Sequence, residues 1–513
     1  MAFFETLLIL LFVAILLLQV TRRFAVPYPT MLAVAGVVIA LLPWAPHIVI
    51  QPELALALFI APALLDSAFD LPPRELRRHW RPLVALAGIA VVLTTAAVAW
   101  TAVALQGLPV AAAVALGAIV APPDAAAAAA MLARADIPRR MISVLKGESL
   151  LNDGVALLIF AAAVTIATSD KPAIHVLPEL AFAVPGGILL GIAIGATLAW
   201  MMRWMYGTVS ATLLGFVATF GAWILAEHLH LSAILCVVAL GMTIAHFLPA
   251  LTPPRDRVST YAVWEAVVFL LNVLAFFLMG LQASEIISRL NPSELSEACG
   301  FAAIVFAVVV AVRFAWVILY MRTSAFVKSR RGKKGVYSNA QAVLVSWCGM
   351  RGLVTLATAL SLPGTFPERD LIVLSAFAVV LGTLVVQGLT LRPLIRLLSF
   401  PPDSSFAKEL LAARVQLIDA AVTSMADRND AAATRLRELY DEERKIAEAG
   451  KHPRDVSEYD ALRRQNIAAK RAKLAELRHS GAIDDDVFHA LELELDWAEL
   501  AASSPDHVEL VES

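Results

Sequence analysis

The sequence predicts an all-α, polytopic membrane protein of about 13 transmembrane helices, at roughly 20 apolar residues per crossing, followed by a cytoplasmic helical tail. Three observations carry this. The 513 residues are 59% hydrophobic and 16% charged, against about 25% charged in a soluble average. Mean hydropathy is +0.74. The apolar runs stop near Phe400-Pro401-Pro402, beyond which Glu, Asp, Arg and Lys are dense, so the net charge of -2 hides a change of solvent. The two parts are a transmembrane domain over 1–400 and a helical C-terminal domain over 402–513.

Candidate spans fall at 2–20, 28–46, 52–71, 82–104, 108–133, 141–168, 176–204, 208–228, 231–249, 260–281, 298–321, 337–361 and 368–398. The first carries Glu5 where a signal peptide would be basic and lacks a small-residue cleavage site, so it is expected to be retained. Asp66 and Asp70 interrupt the third late, and the fifth and sixth carry polar breaks. Every second connection is basic: Arg22 and Arg23; Arg74, Arg77, Arg78 and Arg81; Arg134, Arg139 and Arg140; Arg203; Arg255 and Arg257; then Arg322 to Lys334. Lys and Arg stay cytoplasmic, so the N-terminus is expected outside, the tail in the cytoplasm, and the chain in the cell's inner membrane.

Two segments are not expected to be continuous. In Gly117-Ala118-Ile119-Val120-Ala121-Pro122-Pro123-Asp124 the paired prolines remove two backbone donors and break the helix near mid-span. Asp124 falls where an N-cap or a cation site would be. In Trp347-Cys348-Gly349-Met350-Arg351-Gly352 glycines flank an arginine that can neutralise exposed carbonyl ends. Irregular backbone at this depth must be buried in protein or line a cavity. Either break alone reads equally as a packing kink. One per half of the chain points to inverted repeats around a site near the midplane, as in secondary transporters.

The polar stretch Gly147-Glu148-Ser149-Leu150-Leu151-Asn152-Asp153-Gly154 sits at the head of an apolar run. On a helix Ser149 and Asp153 share a face, Asn152 is adjacent, and Glu148 lies one turn below Asn152. These are hard oxygen donors suited to a monovalent cation such as Na+. A carboxylate inside hydrocarbon must be neutralised by a proton or a cation. A single such group is therefore sufficient for exchange, and Asp153 is assigned that role. One carboxylate carrying one charge each way makes the cycle electroneutral. Arg313, in mid-span, needs a buried partner. Glu148 is the first choice, with Asp124 or Asp66 as alternatives. Asn272 reads equally as a cavity-lining amide and as one satisfied by neighbouring backbone.

These motifs, with the basic loop Leu71 to Pro82, Phe269-Leu270-Leu271-Asn272 through Gly280-Leu281, and Ser361-Leu362-Pro363, resemble the monovalent cation:proton antiporter family of bacterial and animal Na+/H+ exchangers over roughly residues 50–400. Glu-Ser-Leu-Leu-Asn-Asp before an apolar helix is the most specific of them. The resemblance implies the Na+/H+ antiporter fold: 13 helices, crossed broken helices cradling the ion, a core (82–168 and 298–398) that moves like an elevator, and a homodimerisation side (2–71 and 208–281). It implies that Asp153 binds the ion beside Asn152 and Ser149, that Asp124 belongs to the cation and proton site, that Glu148 is the ion-pair glutamate, and that Arg351 is the arginine of the second broken helix. Many members have Thr before the first broken helix's aspartate and Pro after it. Here Pro123 precedes Asp124 and Ala125 follows, a form shared by a subset of bacterial members, so a threonine ligand is altered.

The tail alternates small apolar and charged residues over Leu410 to Ile418, Arg435 to Glu448, Asp460 to Leu477 and Ala482 to Leu500, which predicts about four amphipathic helices. Cys236, Cys299 and Cys348 show neither metal spacing nor an even disulfide set. No nucleophile and base, metal-ligand set or nucleotide loop is visible, which disfavours an enzyme. The expected partners are monovalent cations, protons, lipid and a second copy of the chain, without nucleic acid or a bound cofactor. A K+/H+ antiporter of the same fold and a monovalent cation channel are the alternatives.

Overall fold

The computed structural model describes residues 2–24, 28–40, 54, 56–71, 80–124, 132, 137, 139–168, 173–205, 208–289, 292–330, 338–398, 400, 405–428, 430–449, 458–480, 482 and 484–502. The chain divides into two compact units, 1–401 and 402–512.

In the first unit the apolar runs fold as α1 (Ala2–Phe24), α2 (Tyr28–Ala40), α3 (Leu56–Phe69), α4 (Trp80–Gln106), α5 (Val110–Val120), α6 (Arg139–Thr168), α7 (Ala173–Met202), α8 (Val209–His228), α9 (Ala233–Leu251), α10 (Pro254–Arg289), α11 (Pro292–Arg330), α12 (Asn339–Trp347), α13 (Leu353–Leu360) and α14 (Arg369–Leu398). Among the described residues seven helices are long and apolar enough to cross a bilayer, and four more apolar helices are shorter. Leu8, Phe12, Trp100, Phe182, Leu189 and Val217 are exposed. A soluble protein does not leave its largest side chains outward in such number, whereas lipid is as apolar as they are.

Three features depart from the sequence expectation. The polar break expected in the sixth segment is absent: α6 runs unbroken through 147–154, because Glu148, Asn152 and Asp153 are buried against protein instead of lipid. The segments at 260–281 and 298–321 extend to Pro254–Arg289 and Pro292–Arg330. A hydropathy ruler stops where apolarity ends, but backbone hydrogen bonding continues into polar residues. The third is that π-helical turns sit at Leu56–Ile60, Val84–Ile89 and Thr383–Gln387. One of them offers the Ala85 carbonyl to the Trp316 indole N–H at 2.8 Å.

Both predicted interruptions open the helices at the positions named. The helix of α5 ends at Val120 with 121–124 non-helical, while α12 and α13 are separated by 348–352. The alanine run after Asp124, the loop of Arg74, Arg77 and Arg78, Arg134, and Arg331 to Lys334 lie outside the described residues. Eleven-, nine- and eight-residue pieces cannot cross a roughly 30 Å core at about 1.5 Å per residue, so their ends must be satisfied inside the protein.

Helix neighbours place the site. α7 packs on α9, α9 on α3, α2 on α10, α5 against α4 and α6, and α11 against α14. The α7–α9 approach needs a bare backbone, since a Cβ at Gly191 would overlap the Cys236 carbonyl. The crossing of α3, α6, α10 and α13 leaves a cavity of about 210 Å³.

The second unit is two helical hairpins, α15 (Ser405–Ser424) with α16 (Ala431–Glu448) and α17 (Glu458–His479) with α18 (Asp485–Ala502). Arg444 pairs with Asp419 across the first at 3.0 Å, and Arg471 with Glu499 across the second at 2.7 Å. Asp430 caps α16 by accepting from the Ala433 N–H at 2.7 Å. That bond and the neighbouring Arg428 hold its carboxyl below the usual carboxylate range.

Candidate functional site

The site is built from one continuous helix facing two broken ones. On α6, Lys146, Ser149 and Asp153 recur at spacings of three and four, so they share a face, and all three line the cavity. Asp153 is 5% exposed. Asp66 and Asp70 of the α3 end, Asp124, and Asn272 of α10 complete the polar part of the lining, and the first residues of α13, Leu353 and Val354, add apolar surface to it.

Asn152 faces sideways from Asp153. Its Nδ2 donates to the Pro123 carbonyl at 2.9 Å, a carbonyl released by the helix break, while its Oδ1 is buried with no hydrogen-bond partner among the described residues. A buried acceptor left in that state is costly unless something else in the site engages it. Asp124 is the point where the interrupted segments meet. Its backbone N–H donates to the Met350 carbonyl at 2.7 Å, and its carboxylate lies over Gly352, just before the first turn of α13. A helix N-terminus favours negative charge there.

Arg351 serves the opposite ends. It is 1% exposed and donates from Nε to the Val120 carbonyl at 3.0 Å, from one amino group to the Ala121 carbonyl at 3.2 Å, and from the other to the Gly349 carbonyl. These carbonyls belong to the C-terminal end of α5 and to the link after α12, where partial negative charge accumulates. Its backbone N–H is held by the Thr383 hydroxyl at 3.0 Å. One guanidinium thus supplies donors that both interrupted helices lack.

Glu148 points away from the cavity and is absent from its lining. It takes a two-point ion pair from Arg313, at 2.6 and 3.2 Å, with the two side chains 1% and 3% exposed. Arg313 also donates to the Val345 carbonyl at 3.2 Å. Of the candidate partners for this arginine, the structure brings Glu148 to it; Asp124 and Asp66 face the cavity. Asn272 lines the cavity too, one of the two roles open to it from sequence. Lys146, like Asp66 and Asp70 as cavity residues, was missed by sequence reasoning. Its signal was its spacing of seven from Asp153 on one helical face, masked by the nearby basic loop.

An uncharacterized Na(+)/H(+) exchanger of Mycobacterium bovis is 31% identical over 95% of this chain and 94% of its own length. A Bacillus subtilis protein named sodium, potassium, lithium and rubidium/H(+) antiporter is 31% identical over 73% of this chain and 58% of its own. A family model described as "Sodium/hydrogen exchanger, transmembrane" matches residues 7–397. The chain belongs to the sodium/hydrogen exchanger family. The exchanger also shares its fold with the sodium proton antiporter MjNhaP1 from Methanocaldococcus jannaschii at pH 8, at TM-score 0.60 and 15% identity over 78% of this chain and 100% of that one. Family and fold are those of membrane-embedded secondary transporters, not of enzymes.

Within the exchanger the crossing of the broken segments allows no side chain at Gly352, whose Cβ would collide with the Asp124 carboxylate. Gly352→Ala is expected to lower stability by about 1 to 3 kcal/mol, the range for overpacking, and to reduce transport strongly by displacing Asp124. Thermal unfolding in detergent, read beside vesicle transport, checks this. An alanine variant with wild-type stability and rate would show that Asp124 does not need that position.

Proposed function

We propose that the chain exchanges a monovalent cation, Na+ in the first place, for H+ across the cell's inner membrane, with Asp153 holding cation and proton in turn. The observation that carries this is the placement of a buried carboxylate on the cavity wall, beside Ser149, Asn272 and Asp124, where two helices are interrupted. A charge at that depth requires a counter-ion or a proton, so each ligand displaces the other. With Asp153 alone exchanging, one charge crosses in each direction and the cycle is electroneutral. Asp124, Ser149 and Asn152 serve the same ion. Asn152 fixes the freed Pro123 carbonyl without adding a second titrating group.

The rest of the reading follows from this site. The spans number 13, in inverted repeats. Residues 82–168 and 298–398 form a core that carries the ion past a dimerisation side made of 2–71 and 208–281. The protein is a homodimer with its N-terminus outside and its tail in the cytoplasm. Asp70 and Lys146 lie on the basic-loop side, so the cavity opens toward the cytoplasm. A broader cation range including K+ is the second reading, favoured by the name of the Bacillus subtilis relative.

The test is a cation jump on proteoliposomes carrying a pH dye. Addition of Na+, K+ or Li+ against a preset proton gradient is expected to drive protons the opposite way, independent of an imposed membrane potential. Cation uptake without counter-movement of protons would instead identify a channel. A rate that follows the potential would overturn electroneutrality.

A further inference from the structure

Among the described residues, the cavity lining contains one base beside its carboxylates. Lys146 Nζ lies 3.2 Å from Asp70 Oδ2, with the two side chains 42% and 54% exposed. The pair sits at the mouth and joins α6 to the end of α3. Four aspartates, Asp66, Asp70, Asp124 and Asp153, line the same space, so among the described lining residues Lys146 is the one basic side chain facing four acidic ones. An ion pair this solvated contributes little to folding. Its field is another matter. Lys146 is seven residues before Asp153, about 10.5 Å along the helix axis, and low-dielectric walls focus charge into a cleft.

We propose that Lys146 sets the cation affinity of the site: it is a tethered cation that neutralises Asp70 at the mouth and competes electrostatically with the ion approaching Asp153. This assignment rests on the exchange reading of the cavity. The ammonium is covalently held, so it is never transported, yet every entering cation passes it. Affinity is then set partly at the mouth, by a charge that touches no transported ion.

The test is half-saturation by Na+ in the proteoliposome assay. Lys146→Met keeps most of the stem and removes the charge. It is expected to lower the half-saturating Na+ concentration about five-fold, the scale of one charge at this separation and intermediate dielectric, with a much smaller change in maximal rate. Lys146→Arg keeps the charge and is expected to stay near wild type. Asp70→Asn leaves the ammonium unneutralised and should raise half-saturation, while Asp70→Asn combined with Lys146→Met should return close to wild type. These differences should shrink as inert salt is added, which a purely structural latch would not do.

Should Lys146→Met give no folded protein, Lys146→Gln carries the same expectation. Unchanged half-saturation in the neutral variant, or equal shifts in the Met and Arg variants, would overturn the assignment and leave the exchange reading standing. A wild-type protein that moves no protons on any cation jump would overturn the exchange reading itself.

Discussion

Replacing Asp153 by Asn is expected to abolish cation-driven proton movement, a loss of at least about 100-fold, or about 2.7 kcal/mol at 1.36 per tenfold, while the protein still folds. The substitution is nearly isosteric and removes only the group that changes hands between proton and cation. Asp153 is 5% exposed and has no salt-bridge partner among the described residues that would be stranded. A neutral amide at that depth costs less than an ionised carboxylate, so the thermal midpoint should hold or rise. Vesicle flux and detergent unfolding measured on one preparation separate the two effects. Wild-type exchange in the Asn variant would place the coupling group elsewhere, with Asp124 and Asp66 the next candidates by position.

The second large effect is expected in stability. Arg313→Met leaves the Glu148 carboxylate 1% exposed with its guanidinium gone. Breaking a buried pair from one side costs about 3 to 5 kcal/mol, because the remaining charge has no compensation. Glu148→Gln strands Arg313 in the same way, although the Val345 carbonyl still receives one of its donors. Combining Arg313→Met with Glu148→Gln removes both charges and should recover most of the loss. The readouts are unfolding midpoint and yield of folded protein from membranes. The ranking of Na+, K+ and Li+ in the variants that survive should match wild type, since Glu148 does not line the cavity. An altered ranking would make Glu148 part of the ion site.

The two carboxylates of the 147–154 stretch look equivalent as a sequence, and the fold gives them different work. Helical periodicity alone separates them. Asp153 falls on the face of Ser149, and Glu148 falls to the side of it. Which surroundings each face meets is not a local property. The partner of Glu148 is 165 positions away, and two of the three carbonyls that the Arg351 guanidinium satisfies are 230 and 231 positions away. At such separations no periodicity carries information about pairing.

Much of the architecture was legible for a physical reason that acts locally. Lipid rejects polar backbone, so a membrane chain must write its spans as apolar runs and its interruptions as Pro or Gly in plain view. Hence α5 and the α12–α13 break lie where Pro122-Pro123 and Gly349 to Gly352 place them. The same rule gives no signal for a π turn, for a helix continuing past its apolar stretch, or for a polar stretch such as 147–154 that stays helical because protein covers it.

The sequence by itself determined the membrane class, the positions of the two interruptions, the face shared by Ser149 and Asp153, and the family. Those follow from solvent and from helical spacing, both read within a few turns. Only the tertiary structure decided that Arg313 goes to Glu148, that Pro123 is held by Asn152, and that Asp66, Asp70, Lys146 and Asn272 face the cavity with Asp153. Those depend on which helices cross. That is settled by close packing of whole faces, as at Gly191 against Cys236, and not by any one stretch of chain.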